Sequence, residues 1–306
     1  MTTGTRQARE ALDVLRPWNF LAEQECSAEG TITAVNTVFL TNRECPWRCV
    51  MCDLWKNTLP TSLPAGAIPA QIEYAIARLP AAPVIKLYNS GSFFDPRAIP
   101  VADYPAIARL LEGFQRVIVE CHPALIGDSC FRFQELIAGR LEVALGLETV
   151  HPEGLRKLNK GMTLEQFSSV TGALRGHGVD LRTFILVQPP FLSESEGLRW
   201  TLKSLDCAMS CGSTAASLIP TRPGNPALDE LAARGEFAPP RIETLEACQE
   251  YGLGLRQGRV FADLWDLERF SVCAHCYEKR YNRLQEMNLR QTIAPTFECP
   301  HCGDRT

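Results

Sequence analysis

Runs of β-branched and apolar residues recur along the chain at 33–40 (TAVNTVFL), 83–88 (PVIKLY), 116–120 (RVIVE), 141–148 (LEVALGLE), 181–188 (LRTFILVQ) and 213–220 (STAASLIP). Each is bounded by turn residues, which predicts a buried strand. Between them the apolar positions repeat at helical spacing. Ile68, Ile72, Ile76 and Leu79 share one face, as do Phe133, Leu136 and Ile137, and again Leu164, Phe167, Val170 and Leu174. Gly176 and Gly178 supply a stop after the last of these. Strand followed by helix, about six times over residues 31–235, predicts an α/β fold with a parallel sheet. Six units are too few for a closed eight-stranded barrel, so a partial (β/α)6 TIM-like barrel and a doubly wound sheet are the candidates. In either, ligands collect at the carboxyl ends of the strands.

The flanks have a different character. Residues 1–30 read as an N-terminal extension with one short helix around Arg9–Leu15. Prolines and a glycine in PTRPGNPALDE (220–230) end the last repeat. Residues 236–306 then read as an appended helical, cysteine-bearing element, which gives the division 1–30, 31–235 and 236–306.

Composition narrows the setting. The 306 residues are 45% hydrophobic with a net charge of −4, enough for a core and without a global draw toward nucleic acid or membrane. The polar start MTTGTRQARE lacks the apolar stretch of a signal peptide, and no apolar run is long enough to cross a bilayer. A cytoplasmic protein is expected, with no membrane partner. In that compartment thiols stay reduced, so thirteen cysteines point to metal. Seven fall in tight clusters. The others (Cys26, Cys121, Cys130, Cys207, Cys211, Cys248) read as small buried hydrophobes.

Cys45, Cys49 and Cys52, in ECPWRCVMCDLW, follow the first predicted strand with the spacing C-x-x-x-C-x-x-C. Three thiolates suit a [4Fe–4S] cube with one iron left free of protein ligands. That iron can accept a chelating amine and carboxylate, which S-adenosylmethionine (SAM) carries on its methionine end. A reduced cluster could then cleave the sulfonium to a 5′-deoxyadenosyl radical. A zinc site completed by a distant ligand is the alternative.

On this βα background CPWRCVMC resembles the radical SAM superfamily, whose spacing and partial (β/α)6 barrel it matches over about residues 31–225. Met51 departs from the aromatic residue usual before the third cysteine. The resemblance implies that the turn Asn89-Ser90-Gly91-Ser92, after the second predicted strand, holds the SAM amino group. NSGSFFD with GLET (146–149) is further similar to a branch that includes the radical subunit of archaeosine synthase and, more distantly, elongator-type and methylthiotransferase enzymes. It implies a cofactor contact at Glu148 and, at the ends of the fifth and sixth strands, at Gln188 and Arg222. Glu120 and His122, after the third strand, are candidates to line the substrate pocket. Lys157 and Lys160 are weaker candidates for an anionic substrate. A reducing partner such as flavodoxin or ferredoxin follows from the chemistry.

Cys273, Cys276, Cys299 and Cys302 form C-x-x-C…C-x-x-C with 22 residues between the pairs, a four-ligand pattern for zinc or an auxiliary iron–sulfur cluster. Lys279, Arg280, Arg283 and Arg290, with Tyr277 and Tyr281 among them, offer an RNA contact. The leading expectation is therefore a radical SAM enzyme acting on an RNA base. A radical enzyme acting on a peptide or small metabolite and a non-catalytic two-zinc module are its rivals.

Overall fold

A computed structural model describes residues 12–302. Strands β1 (Asn19–Cys26), β2 (Ile32–Phe39), β3 (Val84–Tyr88), β4 (Arg116–Cys121), β5 (Arg140–Glu148), β6 (Asp180–Val187), β7 (Ala215–Pro220) and β8 (Arg259–Ala262) are neighbours in chain order in one curled half-barrel sheet. The helices are α1 (Ala67–Ile76), α2 (Tyr104–Leu110), α3 (Asp128–Leu136), α4 (Pro152–Lys157), α5 (Leu164–Gly176), α6 (Glu194–Ser210), α7 (Pro226–Ala233), α8 (Ile242–Leu255) and α9 (Ala274–Arg290). The six expected strands are β2 to β7, and the alternation with helices makes this the α/β half-barrel. Among the described residues no helix is long and apolar enough to cross a membrane.

The described chain divides into two compact units. One comprises residues 12–25, 33–146 and 158–182, the other 26–32, 147–157 and 183–302. In the first unit β2, β3, β4 and β5 pair in parallel, with Phe39 beside Tyr88 and Cys121 beside Leu145 at the carboxyl ends. Val35, Val84 and Ile118 pack across these strands. α1 buries Ile68 and Ile72, and α5 buries Phe167 and Leu174, as their spacing predicts. Thr163 and Gln166 close a capping box at the start of α5. In the second unit β7 and β8 pair in parallel, and a Ser193–Glu196 capping box starts α6.

Several expectations are corrected. β1 lies inside residues 1–30, and β8 inside 236–306. β1 (NFLAEQEC) lacks an apolar alternation because Glu23 and Glu25 pair with Lys86 at 3.0 Å each instead of packing as hydrophobes. β8 is only four residues long. Of the expected helix around Arg9–Leu15, residues 9–11 lie outside the described residues, and Leu12–Leu15 end in a turn in which Leu15 N donates to Asp13 Oδ1 (2.9 Å). α3 stops at Leu136, which is exposed, while Ile137 is extended and buried.

A chain of ion pairs, most of them buried, runs across the strands of the first unit. Arg182 joins Glu25 (2.5 Å) to Glu142 (2.7 Å), and Glu142 meets Arg116 (3.0 Å). Arg116 and Arg140 converge on Asp180 at 2.5 and 2.6 Å.

Candidate functional site

The cysteine loop follows β2 and is fixed at its root. Gln71 of α1 accepts from Thr41 N and donates to Thr41 O, both at 2.8 Å. Asn42 Nδ2 donates to the Asn89 carbonyl, and Asn89 Nδ2 returns a bond to Asn42 Oδ1 (3.3 Å). The ends of β2 and β3 are thus tied together by two buried amides. Farther along, Val50 N donates to Leu158 O (2.9 Å) and Asn159 Nδ2 to Arg48 O (3.0 Å).

A small cleft is lined by Glu44, Cys45, Trp47, Arg48, Cys49, Cys52, Trp55 and Ser90. All three thiols are half-buried. Burial pushes Cys45 up to about 11 and Cys52 up to about 12, so in the free chain both stay protonated at neutral pH, and metal binding would release those protons. The structure brings the cysteine loop and the 89–92 turn together, since a Cβ on Gly91 would stand 3.4 Å from Cys45 Cβ.

The turn is held from below by Glu120, whose Oε1 accepts from Asn89 N (2.6 Å) and Gly91 N (3.4 Å). Burial pushes the Glu120 carboxyl up, and these N–H groups act against the shift. Ser90 stands at φ +53°. Ser92 Oγ accepts from His122 N (3.0 Å). Asn89 is fully buried, and its Oδ1 has no hydrogen-bond partner. A buried acceptor left open costs about 1–3 kcal/mol, so the turn is suited to receive a donor such as an ammonium group.

His122 is 4% exposed. Its Nδ1 accepts from Ala124 N (3.1 Å), so Nε2 carries the proton and donates to Lys160 O (2.8 Å). Burial first, then the Lys160 charge, pulls its pKa down to about 4, which keeps the ring neutral. One face lies flat on Trp47, with centroids 3.6 Å apart and planes 11° apart. The sequence pattern alone does not mark Trp47, between the first two cysteines, or Asn42. Gly161 sits at φ +68°, and a Cβ there would approach the Trp47 indole to 2.8 Å. The pair of left-handed residues Asn159 and Gly161 in NKG is the signal that marks this turn. Gly161→Ala is expected to displace Trp47 and cost about 1–3 kcal/mol. The check is a lower urea midpoint at unchanged m together with altered tryptophan emission. An unchanged midpoint and spectrum would show that the stack is not needed.

In the second unit the other strand-end candidates have these settings. Glu148 is buried at φ +64°, where β5 ends. Gln188 follows β6 at φ +58° and is 2% exposed. Its Nε2 donates to Leu192 O (3.0 Å), and its Oε1 is buried without a partner. Arg222 follows β7 and pairs with Asp263 (2.8 Å), also donating to Trp265 O (2.6 Å). Lys157 lies over Phe191, 5.2 Å from the ring centroid.

The four C-terminal cysteines converge. Their sulfurs all lie within 4.8 Å of one another, and among the described residues no other group of three or more His, Cys, Asp or Glu comes together as a metal site. Two of the four basic residues between them, Arg280 and Arg283, face inward, while Lys279 and Arg290 are exposed. Arg280 pairs with Glu246 and with Glu243 (3.2 Å). Arg283 pairs with Glu246 (3.3 Å) and Glu250 (2.7 Å) and is 6% exposed. Arg290 pairs with Glu286 (3.2 Å). Half of the expected basic patch is thus neutralised by α8, which the charge sequence of α9 alone does not reveal.

No protein-family model matches the chain. An archaeosine synthase subunit beta of Methanosarcina acetivorans is 25% identical over 225 residues, which cover 69% of this chain and 64% of that protein. An uncharacterized protein of Methanocaldococcus jannaschii is 23% identical over 227 residues, covering 69% and 62%. The chain thus spans less than two thirds of the length of these relatives. Among solved structures the archaeal Elp3 of Methanocaldococcus infernus superposes with a TM-score of 0.52 at 17% identity, over 72% of this chain and 58% of that one. The chain therefore has the fold of that Elp3, and its sequence resembles the archaeosine synthase β subunits, the branch to which the strand-end motifs pointed.

Proposed function

We propose that the chain is a radical SAM enzyme, with Cys45, Cys49 and Cys52 holding a [4Fe–4S] cluster and the 89–92 turn holding SAM. The observation that carries this reading is the meeting of the half-buried three-thiol loop with a turn whose buried Asn89 Oδ1 lacks a donor. Cluster and SAM, when bound, supply one-electron cleavage of the sulfonium and a 5′-deoxyadenosyl radical for hydrogen abstraction.

The chain's own residues position and shield that chemistry. Asn89 Oδ1 would accept from the SAM ammonium. Glu120 fixes the turn through its N–H groups, and the two amides Asn42 and Asn89 keep the turn in register with the cysteine loop. The Trp47–His122 stack closes one wall and excludes water. Glu148, Gln188 and Arg222 remain cofactor contacts by resemblance, with the open Gln188 Oε1 supporting that role. A flavodoxin or ferredoxin in the cytoplasm supplies the electron. The likeness to archaeosine synthase β subunits makes a base in RNA, such as tRNA, the proposed substrate, and a protein partner is proposed on the same ground. The inward pairing of Arg280 and Arg283 favours a second reading, in which the substrate is a peptide or small metabolite.

The test is anaerobic reconstitution with iron and sulfide, followed by dithionite and SAM. About four irons at the three-cysteine loop and release of 5′-deoxyadenosine are expected. An intact cluster that releases none, with tRNA and cell extract supplied in turn, would overturn the proposal. Faster release with tRNA than with extract freed of nucleic acid selects the RNA reading.

A further inference from the structure

The spacing of the four C-terminal sulfurs discriminates between metals. Cys273 Sγ lies 3.9 Å from Cys299 Sγ, and Cys276 Sγ lies 3.5 Å from Cys302 Sγ, inside a group no wider than 4.8 Å. Four thiolates around one ion at about 2.3 Å form a tetrahedron whose edges are ~3.8 Å. An iron–sulfur cube gives each thiolate an iron at its own corner and so holds the sulfurs farther apart. We propose that Cys273, Cys276, Cys299 and Cys302 bind a single zinc ion rather than an auxiliary iron–sulfur cluster, and that this ion pins residues 291–302 against α9.

The surroundings are built for such a centre. Cys273 caps α9 and Cys276 lies in its first turn, so two thiolates sit at the positive end of the helix dipole. A divalent ion with four thiolates carries a net charge of −2. Arg280, one turn on from Cys276, brings a guanidinium to this end of α9 while pairing with Glu243 (3.2 Å) and Glu246. Arg283 then holds the returning segment through the carbonyls of Ala294 (2.7 Å) and Pro295 (2.9 Å). The segment is thereby fixed at 294–295 by a guanidinium and at 299–302 by the metal. His275 and His301 stack on each other, with centroids 4.1 Å apart, and join the two cysteine turns ring to ring.

The assignment does not depend on the radical chemistry proposed above. Metal analysis of the purified chain and of a Cys45→Ala/Cys49→Ala/Cys52→Ala variant separates the two. About one zinc per chain is expected in both, and the variant should gain no iron on reconstitution. About four irons per chain in that variant, with zinc absent, would establish an auxiliary cluster and overturn the proposal, as would a chain holding neither metal. Zinc held by a wild-type chain that forms no cluster would sink only the radical reading. Where the triple variant fails to fold, cobalt exchanged into the wild-type protein should give the absorption of a tetrahedral tetrathiolate. Failure to give it would equally overturn the assignment. Arg280→Met should lose zinc to a chelator about 10-fold more readily, with partial rescue by Arg280→Lys. Equal retention would remove Arg280 from the account of the site.

Discussion

Cys49→Ala is expected to reduce iron after reconstitution from about four per chain to below about one and to lower 5′-deoxyadenosine release to background. The loop has three thiols and no redundancy. Among the described residues no other group of His, Cys, Asp or Glu is gathered as a metal site apart from the four C-terminal cysteines, which form their own set. Two remaining thiolates would leave two irons open to solvent and hydrolysis. The fold should persist, because the loop is anchored through Gln71, Asn42, Leu158 and Asn159 rather than through the Cys49 side chain. Zinc content and thermal midpoint are therefore the internal controls. A variant that keeps its iron and still releases 5′-deoxyadenosine would show that the cluster is not held by this loop. Loss of activity with loss of zinc and of the thermal transition would indicate misfolding, and Cys49→Ser would then replace it.

The strands of the half-barrel were legible because a buried strand has to be written in apolar residues. VIKLY, RVIVE and LEVALGL need no partner to be recognised. β1 was not legible because it carries Glu23 and the buried Glu25 where apolar residues would be expected, made acceptable by Lys86 and Arg182 far along the chain. The cysteines could be found because metal ligation leaves a spacing that chance rarely supplies. What supports them could not: Trp47 reads as an ordinary loop aromatic until His122 is brought flat against it. Glu120 illustrates the same limit. Its place at a strand end marked it as a site residue, but only the fold shows it gripping the N–H groups of the 89–92 turn. Charge on α9 misled in the opposite direction, since the glutamates that neutralise Arg280 and Arg283 lie on a different helix.

Arg182→Met is expected to lower stability by about 3–5 kcal/mol, toward the lower end, and the thermal midpoint by roughly 6–10 °C at about 2 °C per kcal/mol. Arg182 is 2% exposed and bridges Glu25 to Glu142, so its loss leaves two carboxylates in the interior with fewer partners. Glu25 keeps Lys86 at 3.0 Å and Glu142 keeps Arg116 at 3.0 Å, which limits the cost. The pH dependence identifies the mechanism. Burial pushes the Glu25 carboxyl up, but Arg182 and then Lys86 outweigh it and hold it at about 2, below the ordinary 4.5. A depressed carboxylate contributes stability that is complete above about 4.5 and is lost as pH falls through the folded value. Without Arg182 the Glu25 value rises, and part of that contribution is already gone at neutral pH. The gap between wild type and variant should therefore be widest near pH 7 and narrow as pH falls from about 4.5 toward 2, where the wild type loses the contribution of its ionised Glu25. A second change, Glu142→Gln, should recover part of the loss because it removes one of the stranded charges. A gap that stays constant across this range, or a double variant no more stable than the single one, would mean that Arg182 acts through packing of its side chain and not through its charge.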